Sequence, residues 1–93
     1  MADNITILIP TAMRPKVADQ ESIHTTGGSV KDVLGAIASE HPEFGKQMFD
    51  ANNNVNRFIN VFVNDEDIRF LENLDTVLND GDEISIVPAI AGG

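Results

Sequence analysis

The stretch "RFINVFVNDEDIRF", from Arg57 to Phe70, constrains the fold more than any other part of the chain. Ile59, Val61 and Val63 face one way along a period-2 strand, and Phe58, Asn60 and Phe62 face the other. "NDED" then reads as a tight turn, with Ile68 to Phe70 returning as a short strand. A chain that makes this hairpin needs further strands and a packing partner for its apolar side.

Both are present. "NITILIP", Asn4 to Pro10, is rich in β-branched residues, and Ile5, Ile7 and Ile9 share one side of a first strand. Pro10, just before "TAMRPK", and Pro15 within it oppose regular pairing, and a second strand follows around Ser22 to Thr25, ended by Gly27 and Gly28. Ser29 is placed to cap a helix in which Val30, Val33, Leu34 and Ile37 form one apolar stripe. Pro42 marks its end. "EFGKQMFD" adds a short turn whose Phe44, Met48 and Phe49 cap the core, and "ANNNVN" reads as a loop. "LDTVLNDGDE" is turn-like and closes at Asp80-Gly81, and "EISIVP" is a last strand with Ile84 and Ile86 inward. Two strands, a helix and three strands predict an α+β domain with a sheet of about five strands packed on one main helix.

At 93 residues the chain suits a single compact domain, assigned to residues 1–88, with 89–93 as a flexible tail. A net charge of −9 with only six Lys and Arg argues against nucleic acid and favours a basic protein partner. The chain contains no cysteine, so it has no thiol nucleophile of its own. The apolar run in "MADNITILIP" is too short to span a membrane and follows no basic segment, so the expectation is a soluble, cytoplasmic monomer.

The body of the domain shows no catalytic constellation. His24 and His41 fall on different predicted elements without a cysteine nearby, which gives no zinc site. "NDED" and "NDGDE" lack the alternating ligands of a calcium loop and read as solvated turns, as does "TTGG" before the helix, which has no P-loop lysine.

The end of the chain, "VPAIAGG", is different. Gly92 and Gly93 carry no Cβ, so together with Ala91 and Ile90 they could thread a narrow channel in extended form. Five residues beyond Pro88 reach about 17 Å. A terminal carboxylate is a poor electrophile. Attack by its oxygen on the α-phosphate of ATP would give an acyl-adenylate, from which a sulfur nucleophile could displace AMP and leave a thiocarboxylate.

"RFINVFVNDEDIRFLENLDTVLNDGDEISIVPAIAGG" resembles the C-terminal half of ThiS/MoaD proteins, the ubiquitin-like β-grasp sulfur carriers, and the predicted element order agrees over nearly the whole chain. With "IPTAMRP" at Ile9 to Pro15, it is most similar to the CysO-type carriers that serve cysteine synthase. The resemblance implies that Gly93 is adenylated by an E1-like, ATP-dependent enzyme and converted to 1-thioglycine. It further implies an acceptor synthase carrying pyridoxal phosphate and a metalloprotease that releases the product. The carrier itself would bind no cofactor and would not be an enzyme. Relatives serve molybdopterin, thiamin thiazole or tRNA thiolation, or modify proteins, and the alternative from another class is a β-grasp interaction module whose tail carries no chemistry.

A docking surface is expected on the sheet face away from the helix, with Phe58 and Phe62 joined by Leu8 and Val87. The alternative is that the Phe44–Phe49 segment folds over these rings as a second small core. Arg57 and Arg69 flank the strand pair and are available to acidic groups, with solvation as their plainer role.

Overall fold

The computed structural model describes residues 2–88. Five strands, β1 (Ala2–Leu8), β2 (Ser22–Gly27), β3 (Ile59–Val63), β4 (Glu66–Asp67) and β5 (Glu83–Pro88), form one sheet in the order β2-β1-β5-β3-β4. β1 and β5 run parallel at its centre, and the other neighbours are antiparallel. Two helices, α1 (Val30–Glu40) and α2 (Pro42–Met48), complete the expected α+β architecture.

The period-2 and period-3.6 patterns meet in a single core. Ile5, Ile7, Ile59, Val61, Val63, Ile84 and Ile86 from the sheet are buried against Val30, Val33, Leu34 and Ile37 of α1. Ser29 caps that helix, its Oγ accepting the Asp32 N–H at 3.2 Å, an interaction worth about 1 kcal/mol. At His41 the backbone leaves helical geometry (φ −130°, ψ 82°), as the residue before a proline is forced to do. Pro42 then opens α2 at a position where no N–H is needed. Phe44 and Met48 of α2 are fully buried in the same core and Phe49 packs against it.

Two segments differ from expectation. Thr11–Val17 is a 3-10 helix despite its proline, and it buries Met13 and Val17. Their i, i+4 spacing is the signal that the prolines obscured. The second difference lies after the hairpin turn, where Asn64 (φ 50°) and Asp65 (φ 70°) provide the pair of positive φ values that a two-residue turn requires. The returning strand is Glu66–Asp67, and Ile68–Phe70 is a 3-10 turn rather than a strand. Asp67 causes this, because its Oδ1 accepts the Arg69 N–H at 2.9 Å and caps the turn. Ile68 is thereby folded into the core, while Phe70 is left 82% exposed.

Candidate functional site

Side-chain alternation that buries one face of the sheet presents the other to solvent. Leu8 lies opposite Ser85, Ser85 opposite Phe62, and Phe62 opposite Asp67, so these four make one row across the strands. The next row of this face toward the end of β5 pairs Val87 with Asn60, and Pro88 pairs with Ile59 on the covered side. Leu8 is 39% exposed, Val87 45% and Phe58 51%, and Phe62 is half-buried. Phe44 and Met48 are committed to the core under α1, so the Phe44–Phe49 segment makes no second small core over Phe58 and Phe62. Gly93, Gly92, Ala91 and Ile90 lie outside the described residues. Their anchor, Pro88, sits at the end of a strand paired on its β3 side at every residue from Ile84 onward.

The two arginines near this exit behave differently. The Arg57 guanidinium carbon stands 4.9 Å from the centroid of the Phe58 ring, a cation–π contact at an exposed position. Arg69 is held rather than simply solvated: its Nη2 donates to Asp67 Oδ2 at 2.7 Å and to Asn60 Oδ1 at 3.0 Å, and its Nε donates to Asp67 Oδ1 at 3.1 Å. These hydrogen bonds, with that from the Arg69 backbone N–H, hold the Asp67 carboxyl below the usual carboxylate range against the opposing effect of burial.

At the opposite end of the sheet the acidic turns are structural. Asp80 Oδ1 accepts the Asn4 N–H at 2.9 Å, and Asp82 accepts the Asn79 N–H and the Asn64 side-chain amide, both at 2.8 Å. Asn64 Oδ1 in turn accepts the Glu83 N–H at 3.0 Å, and Gly81 takes the positive φ (90°) that the turn needs. This network ties the β3–β4 turn to the start of β5 and so fixes where β5 ends. These turns are therefore hydrogen-bonded parts of the sheet's end rather than merely solvated, and Asn64 and Asn79 at turn positions are the sequence signal for it.

His24 shares a 3.2 Å hydrogen bond with Thr6 Oγ1, and His41 forms the joint between the helices. Among the described residues, no three His, Cys, Asp or Glu side chains are grouped to hold a metal ion, and no helix is long and apolar enough to cross a membrane.

The chain is 36% identical to the sulfur carrier protein CysO of Mycobacterium tuberculosis over 92 residues, covering 97% of this chain and 99% of that one. Its fold matches CysO in the crystal structure of the Amycolatopsis orientalis BexX/CysO complex with a TM-score of 0.86 at 37% identity, covering 96% and 99% of the two chains. A third relative, small archaeal modifier protein 3 of Haloferax volcanii, is 30% identical over 84% of this chain and 87% of its own. By these names the relatives are carriers or modifiers, and the mixed sheet with its helices is the ubiquitin-like β-grasp they share. Residues 7–93 match the ThiS family, and the chain belongs to it.

Proposed function

We propose that this protein is a sulfur carrier, consumed and regenerated as a co-substrate rather than acting as a catalyst. The observation that carries the reading is that the family match runs through Gly93 and that the CysO relative is covered almost end to end. In the proposed cycle the Gly93 carboxylate oxygen attacks the α-phosphate of ATP on an E1-like enzyme, and pyrophosphate leaves. A sulfur nucleophile then adds to the acyl carbon and AMP departs, leaving the thiocarboxylate. The thiocarboxylate sulfur next adds to the β-carbon of an aminoacrylate held by a pyridoxal-phosphate cysteine synthase, so that the new cysteine stays joined to Gly93 as a thioester. Its amine then attacks the acyl carbon, the C–S bond breaks to free the thiol and leave an amide, and a metalloprotease hydrolyses that amide to release cysteine and restore the Gly93 carboxylate.

The domain's part is to present the tail and to be recognised. Phe58, Phe62, Leu8 and Val87 form the docking surface, with Arg57 meeting an acidic group of the partner. Arg69 acts as a positioning residue through Asp67 and Asn60. Apolar exposure beside the exit of β5 supports this, because an enzyme gripping that patch holds the tail within about 17 Å of its own body. The reading is tested by ATP–pyrophosphate exchange with the activating enzyme. Exchange is expected with the natural chain and absent when one residue is appended after Gly93. Equal exchange by both would overturn it.

A second reading, covalent attachment of Gly93 to lysines of other proteins, is favoured by the likeness to the Haloferax modifier. It shares the adenylation step and differs only in the acceptor.

A further inference from the structure

The two edges of the sheet are finished differently. At one edge β4 is two residues long, both of them acidic, and the chain then leaves in a 3-10 turn. Short length and charge are what keep a sheet edge from pairing with another chain. At the other edge β2 runs six residues, Ser22–Gly27, and contains no Lys, Arg, Asp, Glu or Pro. Its register with β1 is regular from Ser22 to Thr25.

The hydrogen-bond phase fixes which groups β2 offers. Ile9 N–H donates to Glu21 O at 2.9 Å, so these two form a hydrogen-bonded pair, and alternation gives Ile7–Ile23 and Ile5–Thr25 the same character. Ser22, His24 and, by the same alternation, Thr26 therefore turn their N–H and C=O groups away from β1. Thr6, opposite His24, agrees with this phase, because its N–H goes the other way, to Asp82 O. Among the described residues, the outward groups of β2 receive one hydrogen bond, a long one of 3.5 Å from the Thr25 hydroxyl to Thr26 O. His24 and Thr26 are exposed and Ser22 is half-buried, so this edge is open to solvent.

The strand is also complementary to itself. Set antiparallel against a second copy about His24, it places His24 opposite His24, Ser22 opposite Thr26 and Ile23 opposite Thr25. The outward pairs exchange two hydrogen bonds each, so every group the edge offers is used. Hydroxyl stands beside hydroxyl and β-branched beside β-branched, pairings that stabilise adjacent strands. A two-fold contact requires this kind of patch, the same on both copies. None of the fifteen Asp and Glu lies in β2, so a chain of net charge −9 meets its copy where neither strand is charged.

We propose that β2 is a self-association edge, at which two copies pair antiparallel about His24 to give a weak homodimer with one continuous sheet. One strand edge buries less than a standard interface and the net charges repel, so the dimer forms at high concentration and is strengthened by salt. The two-fold axis stands normal to the sheet. Leu8 and Val87 of both copies therefore stay open on the same side, and the pairing does not depend on sulfur chemistry at Gly93.

The test is sedimentation equilibrium of the natural protein over a concentration series up to about 1 mM, with NMR amide signals followed through the same series. The mass is expected to rise toward that of two chains, more so at high salt, while the signals of Ser22, His24 and Thr26 shift. His24→Lys sets like charges opposite each other and should weaken association by about tenfold or more, with the unfolding midpoint unchanged. Because this substitution makes the chain less acidic, non-specific association would strengthen instead. The chain has no cysteine, so His24→Cys should give a disulfide-linked dimer on mild oxidation, and Glu66→Cys on the opposite edge should not. The proposal is overturned if the protein stays monomeric throughout the series, if the shifts map to Leu8, Phe58 and Val87, if Glu66→Cys cross-links as readily as His24→Cys, or if folded His24→Lys associates as well as the natural protein.

Discussion

On the helix side of the sheet, Ile5, Ile7, Val61, Val63, Ile84 and Ile86 are shut away from water, whereas Leu8 and Val87 on the other side stay 39% and 45% exposed. The same strands supply both sets, one residue apart. The difference teaches where selection for folding stops and where selection for a partner can begin. The covered face needs α1 and α2 to close it, and they leave the other face bare. Open apolar area next to the exit of β5 has no internal use, and a carrier that must be held while its tail is worked upon has one.

The comparison can be broken from either side. The largest effect is expected from an appended residue after Gly93, which should abolish thiocarboxylate formation while circular dichroism and unfolding midpoint stay unchanged. On the covered face, Phe44→Ala should cost about 3–5 kcal/mol in urea unfolding, since the ring is fully buried. Its activation per folded molecule should be normal. On the open side, Phe58→Ala should lower kcat/KM of the activating enzyme by roughly tenfold or more. Its cost to stability should stay under about 1 kcal/mol, because the residue is half exposed and its cation–π partner Arg57 is exposed too. If Phe58→Ala unfolds the protein or leaves activation untouched, the division between the faces fails.

The smallest effect concerns Asp67. Its folded-state carboxyl titrates below the usual range, so its contribution is present in full above the ordinary aspartate value and is lost as pH falls through the lowered one. Natural protein should therefore exceed Asp67→Asn in stability at neutral pH, and the gap should close in strong acid. A gap independent of pH would show that the Arg69 pairing is not its source.

Much of the fold was legible because its periodicities are clean. The Val30, Val33, Leu34, Ile37 stripe gave α1 and Ser29 gave its start, and alternation gave β1, β3 and β5. What escaped were local hydrogen-bonding choices that leave little trace in hydropathy. Asp67 turns Ile68–Phe70 out of the sheet, and Thr11–Val17 forms a 3-10 helix with Pro15 inside it. Of the site, the residues exposed around β5 could be named from strand alternation, but their exposure depended on where α2 packed.

The most direct measurement is the accurate mass of the C-terminal peptide of the protein taken from its own cells, alongside its intact mass. Sulfur in place of oxygen must be localised to Gly93, because oxidation of any of the three methionines adds nearly the same mass. The expected result is a thiocarboxylate on Gly93, or a cysteine attached there, which would also fix the acceptor pathway. An unmodified carboxylate that persists after incubation with cell extract, ATP and a sulfur source would contradict the carrier function.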